Sequence, residues 1–251
     1  MKIGLLIRLA VFLVLVALLV QPDLFQGFFA LFARPTQPAI YNQGNLLDIT
    51  ISHLTIVAIA IVLSTVVAVG LAILVTRPFG AEFLPVSRTI ANVGQTFPPV
   101  AVLALAVPIL GFGTAPTLIA LFLYGLLPIF ENTLTGLTTL PPNVTEAARG
   151  VGMTGRQRLM RVELPLALPV ILAGIRLSTV IALATATIGS TVAARTLGEV
   201  IIAGLQSGNT AFVLQGGLIV GVLAVLIYDA MAGLERWLNS RTGQTRSAKA
   251  G

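Results

Sequence analysis

Six apolar runs follow one another along this chain, each long enough to cross a bilayer as a helix. They are Ile3–Val20, His53–Thr76, Ile90–Gly111, Ala115–Leu134, Leu166–Ala194 and Ala211–Leu234. Backbone in hydrocarbon must satisfy its own hydrogen bonds, and runs of this length do so as helices. The chain is 56% hydrophobic and only 10% charged, against about a quarter charged in soluble domains. An all-α polytopic membrane protein with about six transmembrane helices is expected. The loops are too short for a separate soluble domain. The division is an N-terminal span and loop over 1–53, a core over 54–236 and a basic tail over 237–251.

Composition also narrows function. There is no Cys, so thiolate chemistry, disulfides and Cys metal sites are excluded. His53 is the only His, and one His is too little for a zinc site without several carboxylate partners. It reads as an interfacial side chain opening the second span. Nine acidic residues lie scattered, without the clustered nucleophiles or carboxylates that an enzyme needs. The net charge of +6 sits beside apolar runs, so it marks topology rather than nucleic-acid binding.

Along the chain, Ile3–Val20 reads as a retained span rather than a signal peptide, because Val20-Gln21-Pro22-Asp23 is a poor cleavage context. Phe25, Phe28, Phe29 and Phe32 fall at helical spacing, a stripe for packing on the bundle or for lying in the interface. Arg77 and Arg88 bracket a short loop. Ile90–Gly111 carries Gln95, Pro98, Pro99 and Pro108, and these prolines must break the helical ladder. Broken backbone at membrane depth survives when buried in protein or lining a cavity. Gln95, Pro98 and Pro99 are therefore pathway candidates, as a kinked structural helix is the alternative. Gly111–Thr114 is a tight turn. Tyr124 lies well inside the fourth run, and Glu131 near its end reaches toward headgroup water. Arg176 lies about 15 Å into the fifth run by helical rise, so it should face protein or water. Arg195–Thr210 reads as a loop broken by Gly198, Gly204 and Gly208. Gly217 and Gly221 form a GxxxG pair, and Trp237 marks an interface.

The polar stretch Glu146–Pro165 has its own grammar. Asn143 is placed to cap a first helix, with Glu146 three residues on reaching back to the cap. Gly152 offers the left-handed residue that ends it. Thr154 with Gln157 forms a second capping box, and that helix runs toward Leu164–Pro165. Basic residues orient this loop. With six spans, one side carries Lys2, Arg8, Arg77, Arg88, Arg149, Arg156, Arg158, Arg161, Arg236, Arg241, Arg246 and Lys249, and the other only Arg34 and Arg195. By the positive-inside rule the loop and both termini are cytoplasmic.

The loop's spacing resembles the cytoplasmic coupling loop of importer-type ABC transporter permeases: Glu-Ala-Ala, three residues, Gly, nine residues, an aliphatic, any residue, Leu-Pro. Here these are Glu146, Ala147, Ala148, Gly152, Val162, Leu164 and Pro165, in a coupling segment over 135–165. The stretches Gly94–Gly113 and Ala120–Leu137 resemble permeases of osmoprotectant importers, which carry glycine betaine, carnitine or choline; the likeness covers about Leu54–Leu234. One departure is Arg195, where that subfamily usually has a small residue. The resemblance implies a type I ABC importer permease (MetI-like) fold in a bacterial inner membrane. It implies no cofactor on this chain, with ATP and Mg on a separate ATP-binding cassette subunit docked at the loop. A second permease copy or a paralogue, and a periplasmic or extracellular substrate-binding protein, complete the complex. The chain itself has no GxxxxGK[ST] phosphate loop. The alternatives are an importer of another small solute, such as methionine or phosphonate, and an ATP-independent secondary transporter. With one Trp and three Tyr, a full aromatic cage for a quaternary ammonium is unavailable. The chain alone is expected to bind such a solute only near millimolar, about 4 kcal/mol.

Overall fold

The computed structural model describes residues 2–242, and within them the regular structure is helical. The elements are α1 (Lys2–Val20), α2 (Gln26–Ala30), α3 (Leu46–Val75), α4 (Leu84–Thr96), α5 (Pro99–Leu110), α6 (Thr114–Thr138), α7 (Pro142–Gly150), α8 (Gly155–Arg158), α9 (Leu164–Thr185), α10 (Gly198–Ser207) and α11 (Thr210–Thr242). Among the described residues, four continuous stretches are long and apolar enough to cross a membrane: α3, α6, Gly155–Val192, and α11 over Thr210–Leu238. Counting each of two bent helix pairs as one span raises this to six. The expected third span is not one helix. Pro98 has an extended ψ of 140° and separates α4 from α5, so the ladder does break there, whereas Pro108 is held inside α5 without ending it. α4 also begins at Leu84, which places Arg88 inside a helix rather than at a loop edge.

The chain divides into two compact units. One comprises residues up to 60, 97–121 and 180–227. Here α1 meets the Pro22–Ala30 turn at 112°. The core gathers Leu15, Leu18, Phe29, Leu46, Leu197, Phe212 and Ile219. The phenylalanine stripe is split: Phe29 is buried and Phe25 packs against the core, while Phe28 and Phe32 are exposed. The loop ahead of α3 is strapped down by three amides. Gln37 Nε2 donates to the Ser207 carbonyl at 2.8 Å, and Asn209 Nδ2 to that of Pro38 at 2.9 Å. Gln215 accepts from the Tyr41 N–H at 3.0 Å and donates to the Ala39 carbonyl at 2.6 Å. The Tyr41 hydroxyl donates to Glu199 at 3.2 Å. Burial, then the charge and hydrogen bond of Glu199, push that phenol up to about 12. His53 is not a surface side chain. It is fully buried, and its Nδ1 accepts the Leu197 N–H at 3.3 Å.

The expected loop Arg195–Thr210 contains a ten-residue helix, α10. Its glycines serve close packing rather than chain breaking. A Cβ at Gly198 would collide with the Thr187 carbonyl, and one at Gly204 would lie 2.7 Å from the Val213 N. Only Gly208, at φ +63°, acts as a terminator. The turn at Gly111 and Gly113 forms as expected, with φ of +78° and +113°.

The other unit comprises residues 61–96, 122–179 and from 228 onward. Its core holds Ala68, Ala72, Val75, Ala91, Leu126, Ile129 and Phe130. Small residues let backbones approach: a Cβ on Gly94 would strike the Leu123 carbonyl, and one on Gly174 would lie 2.7 Å from that of Pro128. Ser64 and Ser178 donate to the carbonyls of Phe122 and Gly125, at 2.9 and 3.0 Å. Gly217 and Gly221, in the first unit, are both exposed, so the GxxxG pair packs against nothing within 4 Å. α11 stays helical to Thr242, so the expected tail from 237 begins as helix. Arg246 and Lys249 lie outside the described residues.

Candidate functional site

The Pro141-Pro142 pair sets where the loop's first helix begins. Pro142 takes the first helical position, where a missing N–H costs nothing and the ring presets φ. Pro141 becomes the cap residue, and its carbonyl accepts from Val144 at 3.1 Å. The expected cap at Asn143 is therefore overturned. Asn143 falls inside α7, and Glu146 stands too far along the helix to reach back to the cap. Glu146 is exposed, as is Ala147, whereas Ala148 is buried.

The end of α7 follows the expected chemistry. Gly152 has φ +77°. Its N–H donates to the Arg149 carbonyl at 2.9 Å, and the Met153 N–H to that of Ala148 at 3.1 Å. This is a complete Schellman motif, with Gly152 as the left-handed residue. No atom lies within 4 Å of a Cβ built there, so conformation, not crowding, demands glycine. The second capping box also forms: Thr154 Oγ1 accepts from the Gln157 N–H at 3.3 Å, and Gln157 Oε1 from the Thr154 N–H at 2.9 Å.

α8 then enters one π-helical turn, Leu159–Glu163, and continues directly into α9. That turn has a consequence. Arg158 and Glu163 are five residues apart, which in an α-helix would point them about 140° apart. The π register brings them to one side. Arg158 Nε donates to Glu163 Oε1 at 2.7 Å, and Arg77 Nη2, just beyond the end of α3, donates to Oε2 at 2.6 Å. The Glu163 side chain is 7% exposed and the two arginines 17% and 19%. One carboxylate thus ties the polar loop to the ends of α3 and α9. Sequence reasoning missed this anchor, because a five-residue spacing matches no α-helical pair. Val162 and Leu164 flank Glu163 and are half-buried; Pro165 is exposed.

A family model described as "Binding-protein-dependent transport system inner membrane component" matches residues 68–244, the region that holds this loop and its anchor. The chain belongs to that family. Among its relatives, the choline transport system permease protein OpuBB of Bacillus subtilis is 40% identical over 78% of this chain and 90% of its own. The osmoprotectant import permease protein OsmY of Salmonella typhimurium is 39% identical over 80% and 85%. The carnitine transport permease protein OpuCB of Listeria monocytogenes is 43% identical over 77% and 88%. A solved structure of the MetNI methionine ABC transporter, in inward-facing conformations, matches with TM-score 0.66 over 74% of this chain and 93% of that one. At 22% identity it speaks for the fold alone.

The candidate pathway residues of this transport component are distributed over four helices and a break. Gln95 is exposed on α4, Pro98 is exposed at the break, and Pro99 is half-buried at the start of α5. Tyr124 is half-buried on α6. Arg176 on α9 pairs with Glu235 on α11 at 3.2 Å, and its guanidinium lies 4.7 Å from the Tyr228 ring centre. A charge at that depth is thus accounted for by protein partners, as expected. Glu131 does not simply reach headgroup water: Arg88 binds both its oxygens, at 2.9 and 3.3 Å. Arg195 is exposed, 4.0 Å from Asp48.

Proposed function

We propose that this chain is the permease subunit of an ATP-driven importer for a small quaternary-amine osmoprotectant, of the glycine betaine, carnitine or choline class. The observation that carries the reading is the shape of the loop. α7 offers an exposed Glu146-Ala147 face, ended by a left-handed Gly152, and stands on a buried carboxylate that grips α3 and α9. Such a helix is built to be pushed by a partner and to pass the displacement inward. In this reading Glu146, Ala147, Ala148 and Gly152 form the docking face, and Val162, Leu164 and Pro165 set the re-entry into α9. ATP and Mg belong to a separate ATP-binding cassette subunit, since the chain has no phosphate loop of its own. A second permease copy or paralogue shares the pathway, and a substrate-binding protein outside the membrane delivers the cargo. Both termini and the loop face the cytoplasm, following the distribution of basic residues. The names of the relatives support the substrate class.

The experiment is uptake of radiolabelled choline, carnitine and glycine betaine in proteoliposomes holding the permease with its ATPase and binding protein. Uptake of at least one is expected, abolished when ATP is withheld. Uptake indifferent to ATP would overturn the energy source, and ATP-driven uptake of none of the three would overturn the substrate class. Because the native chain has no Cys, a Thr154→Cys variant tests orientation directly: labelling only from the cytoplasmic side is expected.

A further inference from the structure

Beside the Glu163 anchor lies a cavity of about 470 Å³. Its walls include Arg77, Arg149 and Arg158 against the single carboxylate of Glu163, a surplus of two positive charges. Glu163 already accepts from Arg77 and Arg158, so it has little left to offer the surplus. Arg77 Nε is buried, and no group among the described residues accepts from it. A buried charged donor without an acceptor is costly, and an anion close by would offset that cost. Arg149, from the last turn of α7, makes no ion pair among the described residues. The remaining wall mixes Thr76, Thr138 and Thr145 with an apolar side formed by Leu84, Leu134 and Leu137. The cavity lies where α3 and α6 end and α9 begins, and the ends of spanning helices are where headgroups meet a membrane protein.

Two guanidiniums facing one space match the oxygens of a phosphate, which can accept from both. Topogenic arginines alone would be solvated; they would not leave a donor buried beside a cavity. We propose that this cavity binds a phosphate group, supplied by the diester headgroup of an anionic lipid whose upper acyl chain lies along the leucine wall. The site is independent of the substrate assigned above.

The test uses the assembled transporter, with its ATPase, in nanodiscs. Phosphatidylglycerol mixed into phosphatidylcholine should be retained through detergent exchange and detected by native mass spectrometry, and excess inorganic phosphate should compete with it. In Arg149→Gln, whose side chain is exposed, and in Arg77→Lys, which keeps the charge but loses Nε, retention should fall about tenfold, the value of one charge-assisted hydrogen bond. Binding of inorganic phosphate in phosphatidylcholine alone, without retention of phosphatidylglycerol but lost in both variants, would keep the phosphate site and assign it to the free ion. Retention equal in the wild type and both variants, or no binding of either probe, would overturn the proposal. Transport by the same preparation reports separately on the assigned function.

Discussion

Two connections between spans look alike in sequence and differ in the structure. Pro141–Glu163 and Ala193–Asn209 are both rich in glycine and polar residues, and both contain a short helix ended by a left-handed glycine, Gly152 in one and Gly208 in the other. In the first, Gly150, Gly152 and Gly155 have nothing within 4 Å of a built Cβ. In the second, Gly198 and Gly204 lie against backbone, and Thr196, Leu197, Val200 and Asn209 are buried. The first is a surface held by one internal tether at Glu163; the second is part of a core. Glycine in a membrane protein therefore carries two opposite meanings, freedom at a docking surface and absence of bulk at a packed one.

The comparison breaks most sharply at Gly198. Gly198→Val should leave little folded protein, because its side chain must displace the Thr187 carbonyl; the cost exceeds the usual 1–3 kcal/mol, roughly, of overpacking. Size-exclusion profiles of the detergent-solubilised protein would show aggregation. A monodisperse, active Gly198→Val protein would mean that the second connection is as loose as the first.

Next comes the tether. Glu163→Ala leaves two mostly buried arginines unpaired and should cost about 2–4 kcal/mol, less than a fully buried pair would because both arginines keep some contact with solvent. Thermal unfolding should show the loss, and trypsin should cut near Arg158 faster than in the wild type. An unchanged melting temperature would show that the anchor contributes nothing.

Gly152→Val should be milder for folding, about 1–2 kcal/mol for a β-branched residue held at positive φ. Together with Glu146→Lys it should leave normal protein levels while abolishing ATP-driven uptake, since both change the exposed face. Normal uptake by either variant at normal levels would make the loop merely structural.

The smallest effect lies in the strap that holds the chain before α3. The Tyr41 phenol is raised to about 12 in the folded protein, from 10.0. The stability it contributes is complete below pH 10 and is lost as pH rises through 12, because the unfolded phenol releases its proton first. Melting temperatures should decline across that window, and Tyr41→Phe should flatten the decline. A decline unaltered by the substitution would place the alkaline sensitivity elsewhere.

Much of this molecule is dictated by sequence, because its signals are local. Apolar runs of spanning length must be helices, whatever packs against them. Pro98 must break the third run, and Gly152 and Thr154 with Gln157 terminate and start helices through bonds within a few residues. The spacing of Glu146, Gly152 and Leu164-Pro165 is likewise local, so the family could be read from it. Tertiary structure alone decided the rest. The glycines after Arg195 became packing sites only when Thr187 and Val213 came beside them. Arg77 and Glu163 are 86 residues apart, and a π turn had to rotate Glu163 toward Arg158 before one carboxylate could bind both arginines. A contact between distant segments leaves no period in a sequence, and burial makes such a contact strong by excluding the water that would otherwise screen it.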